Sequence, residues 1–180
     1  TGSAALFPGM EELLLLCDEL TASIRRLEGE VERLGRERYP ETQLLRQVPS
    51  IGPITSLAYV LTVEDPQRFA TSRAVGAYFG LTPRQRDSGD ARPELPISKR
   101  GDELMRRLLI EAAHYTLGPF GPDSDLRRFG LRLLGQGGKR AKKRAVVAVA
   151  RKLATLLHRL WVTGEEYHPL GAPSAEELAA

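Results

Sequence analysis

Cysteine is almost missing: Cys17 is the only one in 180 residues. That excludes an internal disulfide framework and any zinc site built on cysteines. Histidine is scarce too, and His114, His158 and His168 lie too far apart in sequence to read as a metal set. His114, behind an apolar helix face, reads as a core or boundary residue, His158 falls on a basic helix and His168 in the tail. No stretch approaches 18 consecutive apolar residues and no basic-then-apolar leader is visible. The expectation is therefore a cytoplasmic protein without membrane contact. Apolar residues nevertheless make up 42% of the chain, enough for a folded core rather than a disordered polyelectrolyte.

Charge is plentiful but partitioned. The net +3 conceals residues 1–37 with four basic and eight acidic side chains, and residues 38–163 with twenty-two basic and eleven acidic. Residues 164–180 hold four acids and no base. A segment at +11 repels itself unless a polyanion is its companion, and cations that meet phosphates gain from counterion release. Nucleic acid is the partner class this favours over a merely solvated surface.

Apolar residues from Leu6 to Leu34 repeat at alternating spacings of four and three. Leu6, Leu13, Leu20, Leu27 and Leu34 form one series; Met10, Cys17, Ile24 and Val31 form the other. This is a coiled-coil seam, suited to a parallel pair, although the run of leucines at 13–16 widens the stripe as it would for a helix packed on its own domain. Pro40 ends that helix, close to where the charge changes sign. Further helices are expected over 41–48, 53–63 with Pro53 in its first turn, 72–79, and 102–116 with Asp102 as cap and Leu104, Leu108, Ile110 and Ala113 inward. Two more follow over 124–134 and 139–161, the last anchored by Trp161. Residues 82–98 carry three prolines and no apolar period, about as long a loop as an ordered domain keeps without a use. The fold class is thus mainly α. A long coiled-coil-type helix (4–38) for oligomerisation precedes a compact helical domain (41–163) and an irregular tail (164–180).

Within that domain, residues 44–58 read helix, tight turn, helix and resemble the helix-hairpin-helix motif of DNA-binding proteins. There a glycine turn lets backbone N–H groups at a helix start meet a phosphate. Ile51, Gly52, Ile54 and Thr55 take that place here; Ser50 stands where the motif usually has its first glycine. Lys139-Arg140-Ala141-Lys142-Lys143-Arg144 sets five cations at a helix start, the end that the macrodipole already makes positive. Such an arrangement is stabilised by an anion, and a nucleic-acid phosphate is the expected one.

Four short motifs follow in order: Val48-Pro49-Ser50-Ile51-Gly52-Pro53, Gly80-Leu81-Thr82-Pro83, Asp87-Ser88-Gly89, and Ile97-Ser98-Lys99-Arg100-Gly101-Asp102 running into Leu104-Met105-Arg106-Arg107-Leu108-Leu109. Together they resemble the C-terminal transposase domain of the DEDD-type transposases, the insertion-sequence one-ten family that also includes Piv-type DNA invertases. The resemblance covers residues 44–113. It implies a recombinase in two parts, of which a preceding RuvC-like domain binds Mg²⁺ through four acidic residues. The helical part supplies a serine that attacks DNA to form a 5′-phosphoserine-type link. It further implies donor and target DNA, a structured guide RNA in some members, and a dimer or tetramer.

The serine matching the family's nucleophile is Ser88, with Arg84, Arg86, Arg92, Lys99, Arg100 and Arg106 nearby in sequence to neutralise phosphate charge. No base stands beside it, since Asp87 and Asp90 fit turn capping equally well. Ser98 is the local competitor, though it reads better as a turn or cap residue. The acidic tetrad has no counterpart: Glu11, Glu12, Asp18 and Glu19 occupy solvent-facing heptad positions. No cofactor is therefore expected in this chain, Mg²⁺ belongs to the other domain, and the piece alone should be inactive. The alternative reading is a non-catalytic helix-hairpin-helix module that binds nucleic acid.

Overall fold

The computed structural model describes residues 7–84 and 95–170. Its helices in chain order are α1 (Phe7–Arg38), α2 (Glu41–Leu45), α3 (Pro53–Val63), α4 (Ser72–Tyr78), α5 (Glu103–Leu117), α6 (Asp125–Gly135) and α7 (Ala141–Thr163), with a 3-10 turn, Pro66–Arg68, before α4. The mainly α class is what the structure shows. None of these helices is long and apolar enough to cross a membrane.

The chain's punctuation explains the boundaries. Pro40 follows α1, Pro53 opens α3 at a position whose missing N–H costs nothing, and Asp102 accepts from the Met105 N–H at 2.6 Å to start α5. Ser124 caps α6 by accepting from the Arg127 N–H at 3.1 Å. Gly164, at φ +68°, ends α7 in the left-handed conformation that glycine adopts without strain.

Helix α7 is the axis of the core. Helices α4, α5 and α6 pack around it, and α3 bridges α5 to the end of α1. Val146, Val149, Ala150, Leu153, Ala154, Leu157 and Leu160 form its buried stripe, closed by Leu45, Val60, Phe79, Leu81 and Leu109 from the surrounding elements. Tyr59 is wholly buried, donates its hydroxyl to the Ala154 carbonyl at 2.7 Å, and meets Phe79 edge-on. Burial holds its phenol well above the ordinary tyrosine pKa.

Several expectations need correction. Helix α2 stops at Leu45 rather than continuing to 48, because residues 46–48 tighten into successive turns. Leu104 points outward on α5; Met105, Leu109, Ala112, Ala113 and Thr116 are the buried set. The adjacent pair Leu104-Met105 permits either register, and the structure buries the second; Leu108 and Ile110, also expected inward, pack half-buried against the core beside buried Leu109. His114 is exposed, whereas His158 is 2% exposed and fully partnered. Its Nε2 lies 2.8 Å from the Pro66 carbonyl and its Nδ1 3.0 Å from Ser72 Oγ. A carbonyl only accepts, so Nε2 carries the proton and Nδ1 takes the serine's. The tail is irregular but docked as far as Pro169: Tyr167 packs on the core, its N–H donates to Gln47 Oε1, and the Asp125 N–H reaches the Pro169 carbonyl.

Helix α1 meets the domain only through its last third, where Val31 and Leu34 are half-buried and Arg46 pairs with Glu32 at 2.7 Å. Upstream, Met10, Leu13, Leu14, Leu15, Leu16, Leu20, Ile24 and Leu27 are 49–65% exposed.

Candidate serine loop and nucleic-acid interface

Two of the motifs meet at the foot of the loop that carries Ser88. Gly80 and Gly101 adopt φ of +67° and +81°, and each lies directly against the backbone of the other's segment. A Cβ on Gly80 would stand 2.2 Å from the Arg100 carbonyl oxygen, and one on Gly101 1.9 Å from that of Tyr78. Both glycines are therefore required twice, by conformation and by crowding. The approach lets the segments pair. Lys99 N–H donates to Gly80 O at 3.1 Å, Ser98 N–H to Thr82 O at 2.8 Å and Arg84 N–H to Pro96 O at 3.0 Å. Pro83 and Ile97 form an antiparallel bridge between them. A loop with a defined stem results, its two ends joined by backbone hydrogen bonds and seated on buried Leu81.

Arg84, Lys99 and Arg100 are exposed at this stem. Lys99 sits at φ +56°, an uncommon value for a side-chain-bearing residue, which the pairing on both sides of it maintains. Ser88, Arg86 and Arg92 lie outside the described residues. Arg106, expected at a phosphate, is half-buried at the start of α5. Its Nη1 donates to the Phe79 carbonyl at 3.3 Å and the Arg100 carbonyl at 3.2 Å, tying the start of α5 to both strands of the stem.

The α2–α3 turn is less open to phosphate than its motif suggests. Ile51 is 4% exposed and its N–H is committed to the Val48 carbonyl at 2.8 Å. Gly52 is extended (φ −90°), and a Cβ there would meet nothing within 4 Å, so neither conformation nor packing calls for glycine. Ile54 is exposed and Thr55 half-buried. No side chain caps α3, yet Glu28 and Glu32 of α1 line a cleft together with Pro53 and Ile54. Glu32 is at the same time the partner of Arg46.

At the start of α7 the basic run is exposed at Lys139, Arg140, Lys142, Lys143 and Arg144, with no acidic residue in the first turn and no side-chain cap. Arg144 Nη2 donates to the Gly137 carbonyl at 3.3 Å, folding the glycine turn onto the helix. Among the described residues no group of three or more His, Cys, Asp or Glu side chains is placed to hold a metal ion.

Residues 42–125, from α2 to the start of α6, match the family model "Transposase IS116/IS110/IS902 family". They are a domain of that family. The match takes in both glycines of the stem and the loop between them. The transposase for insertion sequence element IS1111A of Coxiella burnetii is 35% identical over 71% of this chain and 34% of its own length. A probable family 20 transposase of Pseudomonas aeruginosa is 34% identical over 94% of this chain and 50% of its own. The pilin gene-inverting protein of Moraxella lacunata is 28% identical over 63% and 34%, respectively. The chain thus spans a third to a half of the length of these relatives.

Sequence reasoning missed the stem. Its signal was present in the two glycines, twenty-one residues apart, but only the fold shows that they face one another's backbone.

Proposed function

We propose that this chain is the serine-bearing, nucleic-acid-binding part of a DNA transposase or site-specific recombinase, with Ser88 as the nucleophile. The observation that carries the reading is the glycine-locked stem. It holds the ends of an otherwise unpatterned loop in one geometry and surrounds its foot with exposed Arg84, Lys99 and Arg100. A nucleophile on a mobile arm gains little from orientation; one on a fixed stem can be held in line with a phosphodiester.

In the step proposed, Ser88 Oγ bonds to phosphorus while the bond from phosphorus to the 3′ oxygen breaks. The serine ends on the 5′ phosphate, its proton leaves to a base, and the released 3′ oxygen is protonated. The cations at the stem stabilise the charge that builds on the phosphoryl oxygens. No residue described here serves as the base. That role is assigned to a preceding RuvC-like domain, which would also hold the Mg²⁺. The basic start of α7 is assigned to donor and target DNA backbones or a structured guide RNA, and the apolar seam of α1 to pairing with a second copy. Strand transfer by the full-length protein tests the assignment: Ser88→Ala is expected to abolish it while leaving DNA affinity unchanged. Full strand transfer by Ser88→Ala would leave only a binding module.

A further inference from the structure

A second cationic site lies on the face of the domain formed by α4 and α7, away from the basic run that opens α7. Arg151, Lys152, Thr155 and Arg159 recur along α7 at helical spacing and line one cleft of about 820 Å³. Arg73, from the first turn of α4, lines it as well, and Thr82 brings the cleft to the foot of the Ser88 loop. Asp125, Tyr167 and His168 contribute from the start of α6 and the docked tail.

Among the described residues the cations here outnumber the acids, Asp125 being the one carboxylate that lines the cleft. Arg73, Arg151, Lys152 and Arg159 are all exposed, and among the described residues only Arg159 has an ion-pair partner, Glu165 at 2.8 Å. Lys152 is steered rather than neutralised: its Nζ lies 4.3 Å from the centre of the Phe129 ring. Arg151 is given its place by a glycine. A Cβ on Gly76 would stand 2.8 Å from Arg151 Cγ, so the bare backbone of α4 leaves room for the arginine stem to cross it.

We infer that this cleft binds the sugar-phosphate backbone of the DNA strand leading to the phosphodiester offered to Ser88, an assignment that rests on the reading of Ser88 as nucleophile. The spacing suits a strand. Residues 151 to 159 span about 12 Å of helix, against about 3.4 Å of rise per phosphate along one strand, so the cations reach some three successive phosphates. Thr82 belongs both to the cleft wall and to the stem, where its carbonyl accepts from Ser98 N–H. A backbone lying in the cleft is therefore delivered to the foot of the loop. Glu165, paired with Arg159 at the rim, is the group a phosphate would displace.

The test uses the full-length protein with Arg73→Gln, Arg151→Gln and Lys152→Gln combined, and measures binding to a duplex carrying the element end by fluorescence anisotropy across a salt series. All three side chains are exposed, and an unchanged melting temperature verifies the fold. The expected result is a 10- to 100-fold weaker Kd at moderate salt, with the slope of log K against log salt shallower by roughly 2.7, the value for three lost phosphate contacts. Glu165→Gln, which frees Arg159, is expected to tighten binding about twofold to fivefold. An unchanged Kd and slope would overturn the proposal, as would a loss confined to RNA with duplex binding intact. Repeating the series in Ser88→Ala separates the two claims: the cleft variants must weaken DNA binding in that background whether or not Ser88 is the nucleophile.

Discussion

Gly101→Ala should damage the protein out of proportion to the one methyl group it adds. The new Cβ would lie 1.9 Å from the Tyr78 carbonyl oxygen, whereas ordinary contact begins near 3.4 Å, so the two segments must separate by about 1.5 Å. Three contributions follow. Holding an alanine at the left-handed φ of this site costs about 1–2 kcal/mol. Displacing packed backbone costs about 1–3 kcal/mol more. The stem bond from Lys99 to Gly80, 3.1 Å long in the native fold, would lengthen, a further loss of about 1 kcal/mol. The sum is about 3–6 kcal/mol, a large part of the 5–15 kcal/mol typical of a domain. At about 2–4 °C per kcal/mol for this size, the melting temperature should fall on the order of 6–24 °C. Gly52→Ala is the internal comparison. Its Cβ meets nothing and its φ is −90°, so the loss should stay below about 1 kcal/mol. Scanning calorimetry of both variants decides the matter. If Gly101→Ala melts within 2 °C of the parent, or no lower than Gly52→Ala, the crowding at the stem is not what holds it.

Three other outcomes are expected. His158→Ala should destabilise the fold by about 2–4 kcal/mol in urea unfolding, since it deserts the Pro66 carbonyl and the Ser72 hydroxyl and leaves a void beside Phe69; a cost under 0.5 kcal/mol would contradict this. Hydrogen bonds from Arg128 and Arg159 hold the Asp123 and Glu165 carboxyls below their ordinary pKa values. These pairs therefore add stability above the unfolded-state pKa and lose it as pH falls through the lower folded one; carboxyl carbon shifts in an NMR titration should move at lower pH than in free Asp and Glu, and ordinary midpoints would refute the pairing. Leu20→Glu with Leu27→Glu, both at exposed seam positions, should lower the solution mass of the full-length protein to that of a smaller assembly, while an unchanged mass would remove α1 from the oligomer interface.

How much of this was readable beforehand depended on whether the determining forces were local. Pro40, Pro53 and Asp102 act on neighbours a few residues away, and the helix starts they imply appear in the structure. The doublet at 104–105 carries two equally apolar registers, so only tertiary packing could choose between them. His158 shows the same limit. On a helix wheel it borders a basic face, and nothing nearby in sequence reveals that Pro66 and Ser72, more than eighty residues upstream, supply its partners. The candidate site divides similarly. The motifs of the family were legible as strings, and so was the serine between them, but the glycine-on-carbonyl contacts that turn two strings into a stem are tertiary. Arg151, Lys152 and Arg159 were visible as an outward face; Arg73 joins them only because α4 packs on α7. The carboxylates of Glu28 and Glu32 beside the α3 start are a long-range placement of the same kind.

The most direct measurement is to incubate the full-length protein with a duplex carrying the element end, stop the reaction in denaturant and digest it. Mass spectrometry then locates any nucleotide left on the protein. The account predicts a phosphodiester-linked adduct on the peptide containing residue 88, absent from Ser88→Ala. An adduct on Ser98 or any other residue, or strand transfer with no protein–DNA adduct at all, would contradict it.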